Sequence, residues 1–437
     1  MANSYLNRTP SSTGNDKIAT FSAWVKRGSS LGSQNNLFTS FPANERTQLF
    51  FTGSDTLQLQ SYSSGSATMN VKTNRAFRDV NAWYHIVVAM DSTQATASDR
   101  VKFYVNGVQE TSFAVATYIN QNTTLSFNTA SRPFYIGTYD TSQLFFDGYM
   151  SHVSWVDGQA LAPTVFGETD STSGIWKFKQ PSGVTWGTNG FHLKFENSGN
   201  LGLDSSGNSN TFSVNGNGKQ ALDTPSNVYA TMNPSVPTSS LAFSNGNNTL
   251  TGSNASNYGS NNPSTLGASA GKYYVEVKYK TAGSNVYPSV GIAPASLAPT
   301  VNPTGSVTDV CLVTMENNMY YEGSNTGSYL GSTPSAGDII QIALDLDNQK
   351  IFFGLNGTFV GNPATGSTPA FSGITAGETI CFSSRTLDNV FEWNFGNGYF
   401  GTTAITSAGS NGNGSLFEYD VPSGYYALNT KNINTYG

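Results

Sequence analysis

Apolar residues recur at every second position through much of this chain, in short runs broken by Gly, Asn, Ser and Pro. Over residues 16–27, Phe21, Ala23 and Val25 fall on one side of an extended segment, and Ser22, Trp24 and Lys26 on the other. Tyr84, Ile86, Val88 and Met90 alternate with His85, Val87 and Ala89, which predicts a strand covered on both faces. Val101, Phe103 and Val105 alternate with Lys102 and Tyr104, and the run stops at Asn106-Gly107, a strong hairpin signal. Shorter strands are predicted at 37–41, 47–52, 56–62, 134–137 and 149–156. The stretch 155–166 departs from this alternation.

The period-two pattern resumes near Gly271. Tyr273, Val275, Val277 and Tyr279 alternate with Tyr274, Glu276 and Lys278. Residues 288–293 form a short strand. Ile340, Ile342, Leu344 and Leu346 alternate with Gln341, Ala343, Asp345 and Asp347, and Asp347-Asn348 turns the chain into Ile351, Phe353 and Leu355. Asn356-Gly357 then turns it again. Between the two patterned regions, residues 223–270 are rich in Asn, Gly, Ser and Pro and read as a linker with long loops. The expected organisation is a first sandwich over 1–222, this linker, and a second sandwich with a C-terminal tail over 271–437. Residues 191–214 read either as a segment returning to the first sandwich or as a bridge to the second.

Composition supports an all-β chain. Only 11% of the 437 residues are charged, while 22 tyrosines and 27 phenylalanines supply core material that a disordered chain lacks. No apolar run approaches the roughly 20 residues of a membrane-spanning helix. The net charge is −6 with no Lys/Arg cluster, so neither nucleic acid nor membrane insertion is expected. The two cysteines, Cys311 and Cys381, sit in apolar contexts and read as buried thiols. Residues 1–10 lack the apolar centre of a secretory signal, which makes a cytoplasm the expected place of folding.

The phrases FSAWVKR (21–27), WYHIVVAMD (83–91), VKFYVNGV (101–108) and FDGYMSHVSW (146–155) resemble, in order and spacing, the laminin-G-like, concanavalin A-like lectin fold. The phrases GKYYVEVK, VGIA, GDIIQIALDLDNQKIFFGLNG, EWNFG and VPSGYYAL resemble the SPRY domain, another concanavalin A-like sandwich. The resemblance implies two antiparallel concanavalin A-like β-sandwiches, or jelly rolls, in tandem with little helix, the first leading into a short helix through 155–166 after its last strand. The whole layout, from SYLNRTPSSTGNDK through DTPSNVYATMNP to the SPRY-like end, resembles structural proteins of marine tailed bacteriophages.

Candidate chemistry is sparse. Three histidines, His85, His152 and His192, show no nucleophile-base motif, and no HExxH or CxxC is present. Asp345 and Asp347 lie two apart on one strand face, the arrangement a retaining glycosidase would want, but they flank a tight turn and read as structural. Calcium is an open cofactor, because laminin-G-like domains bind it through rim aspartates. Asp91, Asp99, Asp140 and Asp147 are the candidates. Tyr139, Trp186, Tyr258, Tyr320 and Tyr321 lie in or near Gly/Asn-rich stretches and are the candidate sugar platforms.

No enzyme is expected. The phage resemblance implies a virion surface protein, a tail fibre, knob or capsid decoration, made in the host cytoplasm. It would dock on other virion proteins and contact host glycans, with a homo-oligomer left open. The alternatives are a secreted polysaccharide-degrading enzyme or carbohydrate-binding accessory module, and a SPRY-type interaction adaptor.

Overall fold

The computed structural model describes every residue except 1–2, 43, 236–239, 254–260, 285–286, 299–300 and 304. The chain divides into two units, residues 1–220 and 221–437, each built on two main sheets that are antiparallel but for one short parallel pairing, Tyr426–Ala427 beside Tyr273–Tyr274, among the described residues.

In the first unit, one sheet has eight strands, in the order Phe113–Thr117, Ser66–Ala76, Thr56–Ser63, Thr47–Phe51, Asn35–Ser40, Phe134–Ile136, Tyr5–Arg8 and Ser213–Asn215. The other has six: Phe191–Leu193, Gly148–Asp157, Ile18–Arg27, Trp83–Asp91, Val101–Val105 and Val108–Gln109. The alternation read from the sequence places Phe21, Ala23, Val25, Ile86, Val88, Phe103 and Val105 in one core with Phe38, Leu49, Leu59, Val71 and Trp155. That core is the main favourable term in folding this unit. Residues 191–214 return to this unit, the 191–193 strand pairing with 148–157 and the 213–215 strand with 5–8. The expected short helix after Trp155 is a single 3-10 turn, Pro163–Val165. The strands at 66–76 and 113–117 escape the sequence pattern because they bury few apolar residues: Met69 and Val71 carry the first, and no residue of the second is fully buried.

In the second unit, the larger sheet runs Leu241–Ser244, Thr249–Gly252, Val390–Asn394, Lys272–Thr281, Ile339–Asp345, Lys350–Leu355 and Thr358–Phe359, with two short strands pairing off this path. The smaller sheet runs Asn262–Ala268, Ile380–Arg385, Ser289–Pro294, Cys311–Thr314, Asn318–Tyr321 and Ser324–Ser328. Tyr273, Val275 and Val277 point into the core with Ile340, Ile342, Phe353 and Trp393. Both cysteines are buried and free, and burial pushes the Cys381 thiol up to about 11.

The stretch 223–270 corrects the linker expectation. It supplies three strands to this unit, at 241–244, 249–252 and 262–268, and it buries Tyr229, Ala230, Met232 and Leu250. A strand near the edge of a sheet needs few apolar side chains, because backbone pairing such as Leu250 against Phe391 and Phe243 holds it. A Ser/Asn-rich composition therefore hides it. The C-terminal tail also has structure: Thr430–Tyr436 is an α-helix whose first turn is capped by the Asn429 side chain accepting the Asn432 N–H.

Candidate functional site

The eight-stranded sheet of the first unit turns Phe134 and Ile136 into the core, so Tyr135 between them points outward. Its register partners continue the outward row: Asn7 and Ser213 on one side, then Thr39, Gln48, Gln60, Asn70 and Thr117 on the other. Every member is a tyrosine or a small polar or amide residue. The amides bond to one another along the face. Asn36 Nδ2 donates to Gln48 Oε1 at 3.3 Å, Gln48 Nε2 to Gln60 Oε1 at 3.0 Å, and Gln58 Nε2 to Asn70 Oδ1 at 2.7 Å.

Aromatic rings gather along this row. Tyr5 lies 6.1 Å from both Tyr135 and Phe145, and Phe41 lies 6.2 Å from Tyr135 and 5.8 Å from Tyr139. The Arg46 guanidinium sits 3.6 Å from the centre of the Tyr62 ring and 5.6 Å from that of Tyr139. Tyr5, Phe41, Tyr62, Tyr139 and Phe145 are all half-buried, so each ring keeps an exposed part. Tyr139 is held by a tight turn. The Asp140 carboxylate accepts the Ser142 and Gln143 N–H groups, the Ser142 hydroxyl and the Gln143 side-chain amide. Burial opposes the charge of Asp140, yet these bonds outweigh it and hold the carboxyl below its ordinary value.

Of the sequence-derived sugar candidates, Tyr139 belongs to this group. Trp186 stacks on His192 at 5.7 Å, against the other sheet of the first unit. In the second unit, the Tyr320 hydroxyl accepts from Asn325, and Tyr321 stacks on Phe371 at 4.9 Å. Tyr258 lies outside the described residues. Sequence reasoning missed Tyr5, Tyr62, Phe41, Phe145 and Arg46, which come from four separate stretches. The signal available was only that outward positions of these strands are amide or tyrosine.

The calcium candidates are each engaged locally. Asp91 accepts from Thr93 and Gln94, Asp99 pairs with Lys102 at 3.1 Å, and Asp147 accepts the Ser30 N–H. Among the described residues, no three His, Cys, Asp or Glu side chains converge as a metal-holding group. The carboxylates of Asp345 and Asp347 also serve different partners. Asp345 is buried and binds Lys272 at 2.9 Å and Asn348, whereas Asp347 is exposed and accepts the Gly271 N–H.

The second unit carries a cleft of about 370 Å³ lined by Tyr329, Leu355, Thr358, Phe359 and Val360, the last of them 45% exposed. Its most perturbed carboxyl is Glu276. Burial pushes it up to about 7, against hydrogen bonds from the Glu418 and Tyr419 N–H groups, the Tyr274 hydroxyl and the Asn394 amide. Its carboxylate thereby holds the chain at residues 418–419 against the sheet.

Residues 2–165 match the laminin-G family described as the concanavalin A-like lectin/glucanases superfamily. No curated protein sequence matches the chain. Among solved structures, the chain is similar to the SPRY domain of human HERC1, at 20% identity over 37% of this chain and 96% of that one, with a TM-score of 0.29. It is similar to the heptameric SAP-like pentraxin of Limulus polyphemus, at 15% identity over 36% of this chain and 71% of that one, with a TM-score of 0.27. It is also similar to domain 4 of the arabinanase AbnA of Geobacillus stearothermophilus, solved with arabinotriose, at 22% identity over 36% of this chain and 68% of that one, with a TM-score of 0.27. The first unit therefore carries, over residues 2–165, a concanavalin A-like domain of the laminin-G type.

Proposed function

We propose that this chain is a non-catalytic adhesion protein on the surface of a tailed-phage virion, docked on other virion proteins and contacting host glycans. The observation that carries the glycan contact is the outward face of the eight-stranded sheet, where half-exposed rings of Tyr5, Phe41, Tyr62 and Tyr139 border a row of amides. Sugar rings present apolar C–H faces that pack on aromatic rings, and hydroxyls that pair with groups able both to donate and to accept. The virion setting draws its support from the resemblance of the full-length layout to phage structural proteins. A glycan array and calorimetry on the full chain test the first part, with Tyr62→Ala and Tyr139→Ala as controls. Binding that both substitutions leave intact would remove this face from the proposal. Mass spectrometry of purified particles tests the second, and absence of the chain from them would end it.

A second reading is a peptide-binding adaptor, favoured by the apolar cleft beside Phe359 and Val360. Peptide capture abolished by Val360→Asp, with no glycan bound, would favour it. For the hydrolase alternative, release of reducing sugar lost in Asp345→Asn is the deciding result.

A further inference from the structure

All three histidines of the chain lie in the six-stranded sheet of the first unit, in contact with aromatic rings of the segment 158–190 that crosses it. That segment folds a hairpin from Gly167–Thr169 and Trp176–Phe178 and packs Phe166 on Val87 and Val156. Each histidine meets one of its rings. Trp176 lies over His85 at 6.0 Å, Phe178 over His152 at 3.5 Å and Trp186 over His192 at 5.7 Å. The segment thus reads as a cover with three aromatic contacts.

The hydrogen bonds fix the proton at His85. The Trp176 indole Nε1–H points at His85 Nδ1 at 2.9 Å, and an indole nitrogen can only donate. Nδ1 must therefore carry a lone pair, and the ring proton sits on Nε2, which faces the Ser22 hydroxyl at 2.9 Å. The bound cover requires a neutral imidazole, because a proton on Nδ1 would face the indole N–H. Trp176 packs closely on two glycines. A Cβ built at Gly107 would lie 2.6 Å from its ring, and one at Gly167 2.5 Å. The Trp24 ring closes the other side of His85, stacked at 4.8 Å.

The other two histidines are set against charge in the same way. His152 occupies a break in strand register at φ +49°, a backbone region uncommon for any residue but glycine, and its Nδ1 meets His192 Nε2 at 3.4 Å. Two imidazolium rings could not share that contact. The Nδ1 of His192 is buried without a hydrogen-bond partner. The remaining ionisable groups around them are few. Lys194 disfavours charge on His152 and His192, Asp204 favours it on His192, and Tyr104 and Lys26 stand on neighbouring strands. On the cover, Lys177 pairs with Asp170 at 3.0 Å and Glu168 at 3.7 Å and leaves no carboxylate on the histidines.

We propose that the 158–190 segment is an acid-released cover, latched by Trp176 on neutral His85, whose opening exposes Trp24 and the outer face of the six-stranded sheet. Burial holds His85 at about 3 while the cover is down, against an ordinary value of 6.5 once water reaches it. Protons then favour the open form as pH falls from 6.5 toward 3. The device is independent of the glycan face, which lies on the other sheet.

Hydrogen exchange on the full chain, corrected for intrinsic rates, reads the opening directly. From His85 alone, the opening equilibrium of peptides within 165–180 is expected to rise about 25-fold between pH 7 and pH 5. The 18–27 and 83–91 strands are expected to exchange far more slowly than 165–180 at both pH values, because they open only when the whole unit unfolds. His85→Gln offers the indole an acceptor that cannot charge, and is expected to lose most of that rise. Equal protection of 165–180 at both pH values overturns the proposal. So does exchange of the two core strands at the same rate as 165–180, or a rise that persists unchanged in His85→Gln. The first two readouts need no variant, so a His85→Gln chain that failed to fold would not shelter the idea.

Discussion

The two units finish an aromatic strand with the same turn, and each puts a covering segment over it. Asn106-Gly107 and Asn356-Gly357 both close hairpins. In each, the asparagine side chain accepts an N–H from the strand before it, His85 in one case and Ile339 in the other. The glycines stand at φ +80° and φ +90°, and a ring from the covering segment rests on each: Trp176 on Gly107, Tyr419 on Gly357. Beyond the turn, the chemistry reverses. The first unit places a neutral base, His85, beneath its cover. The second places an acid, Glu276, which accepts two backbone N–H groups from residues 418 and 419. A relay joins that acid to the turn, because Gly357 N–H donates to Gln341, Gln341 to the Tyr274 hydroxyl, and that hydroxyl to Glu276. One backbone device thus carries two opposite responses to pH, because the side chain desolvated beneath it differs.

The largest expected effect separates the units by pH. His85 is depressed to about 3 in the folded chain, so the stability of the first unit is full above 6.5 and falls as pH drops from there toward 3, by up to about 5 kcal/mol. Glu276 is raised to about 7 by burial, so the second unit is most stable below the ordinary carboxyl value of 4.5. It loses about 3 kcal/mol as pH climbs through 7. Urea titrations of the full chain at pH 5 and pH 8 should show two transitions moving in opposite directions. Parallel movement would break the comparison. Glu276→Gln should flatten the second slope and leave the first alone.

Next in size are the turn glycines. Gly107→Ala and Gly357→Ala each force a side chain into a left-handed backbone and against a ring, at a cost of about 2 kcal/mol. Each should lower one transition only, in its own unit. A cost below about 0.5 kcal/mol at either position would mean that its ring moves aside, and the shared device would hold for one unit alone. The smallest effect concerns binding. Tyr139→Ala removes one half-exposed ring and should weaken glycan binding about tenfold, or about 1.4 kcal/mol, with both urea transitions unchanged. A glycan titration compared with the unfolding curve separates lost contact from lost fold.

Alternation alone was enough to reveal the main core strands of both units, and Asn-Gly pairs their two hairpins, because burying one face of a strand imposes a period of two on its residues. Phe21, Ala23 and Val25, and Tyr273, Val275 and Val277, stand where that period places them. It did not reveal short strands such as Thr249–Gly252, whose single fully buried apolar residue, Leu250, is too little pattern to read. Nor did it show that Asn7, Tyr135, Thr39, Gln48 and Gln60 form one row, because strand register depends on which strands become neighbours. The sites were harder still. Tyr139 was legible as a tyrosine near a turn, but its company of Tyr62, Phe41 and Arg46 comes from distant stretches. His85 read only as a strand residue with no nucleophile-base motif. Its neutral, latched state depends on Trp176, 91 residues away. Local residue types thus determined the strands and turns of this chain, while burial and long-range register decided which side chains share a surface and which must hold or shed a proton.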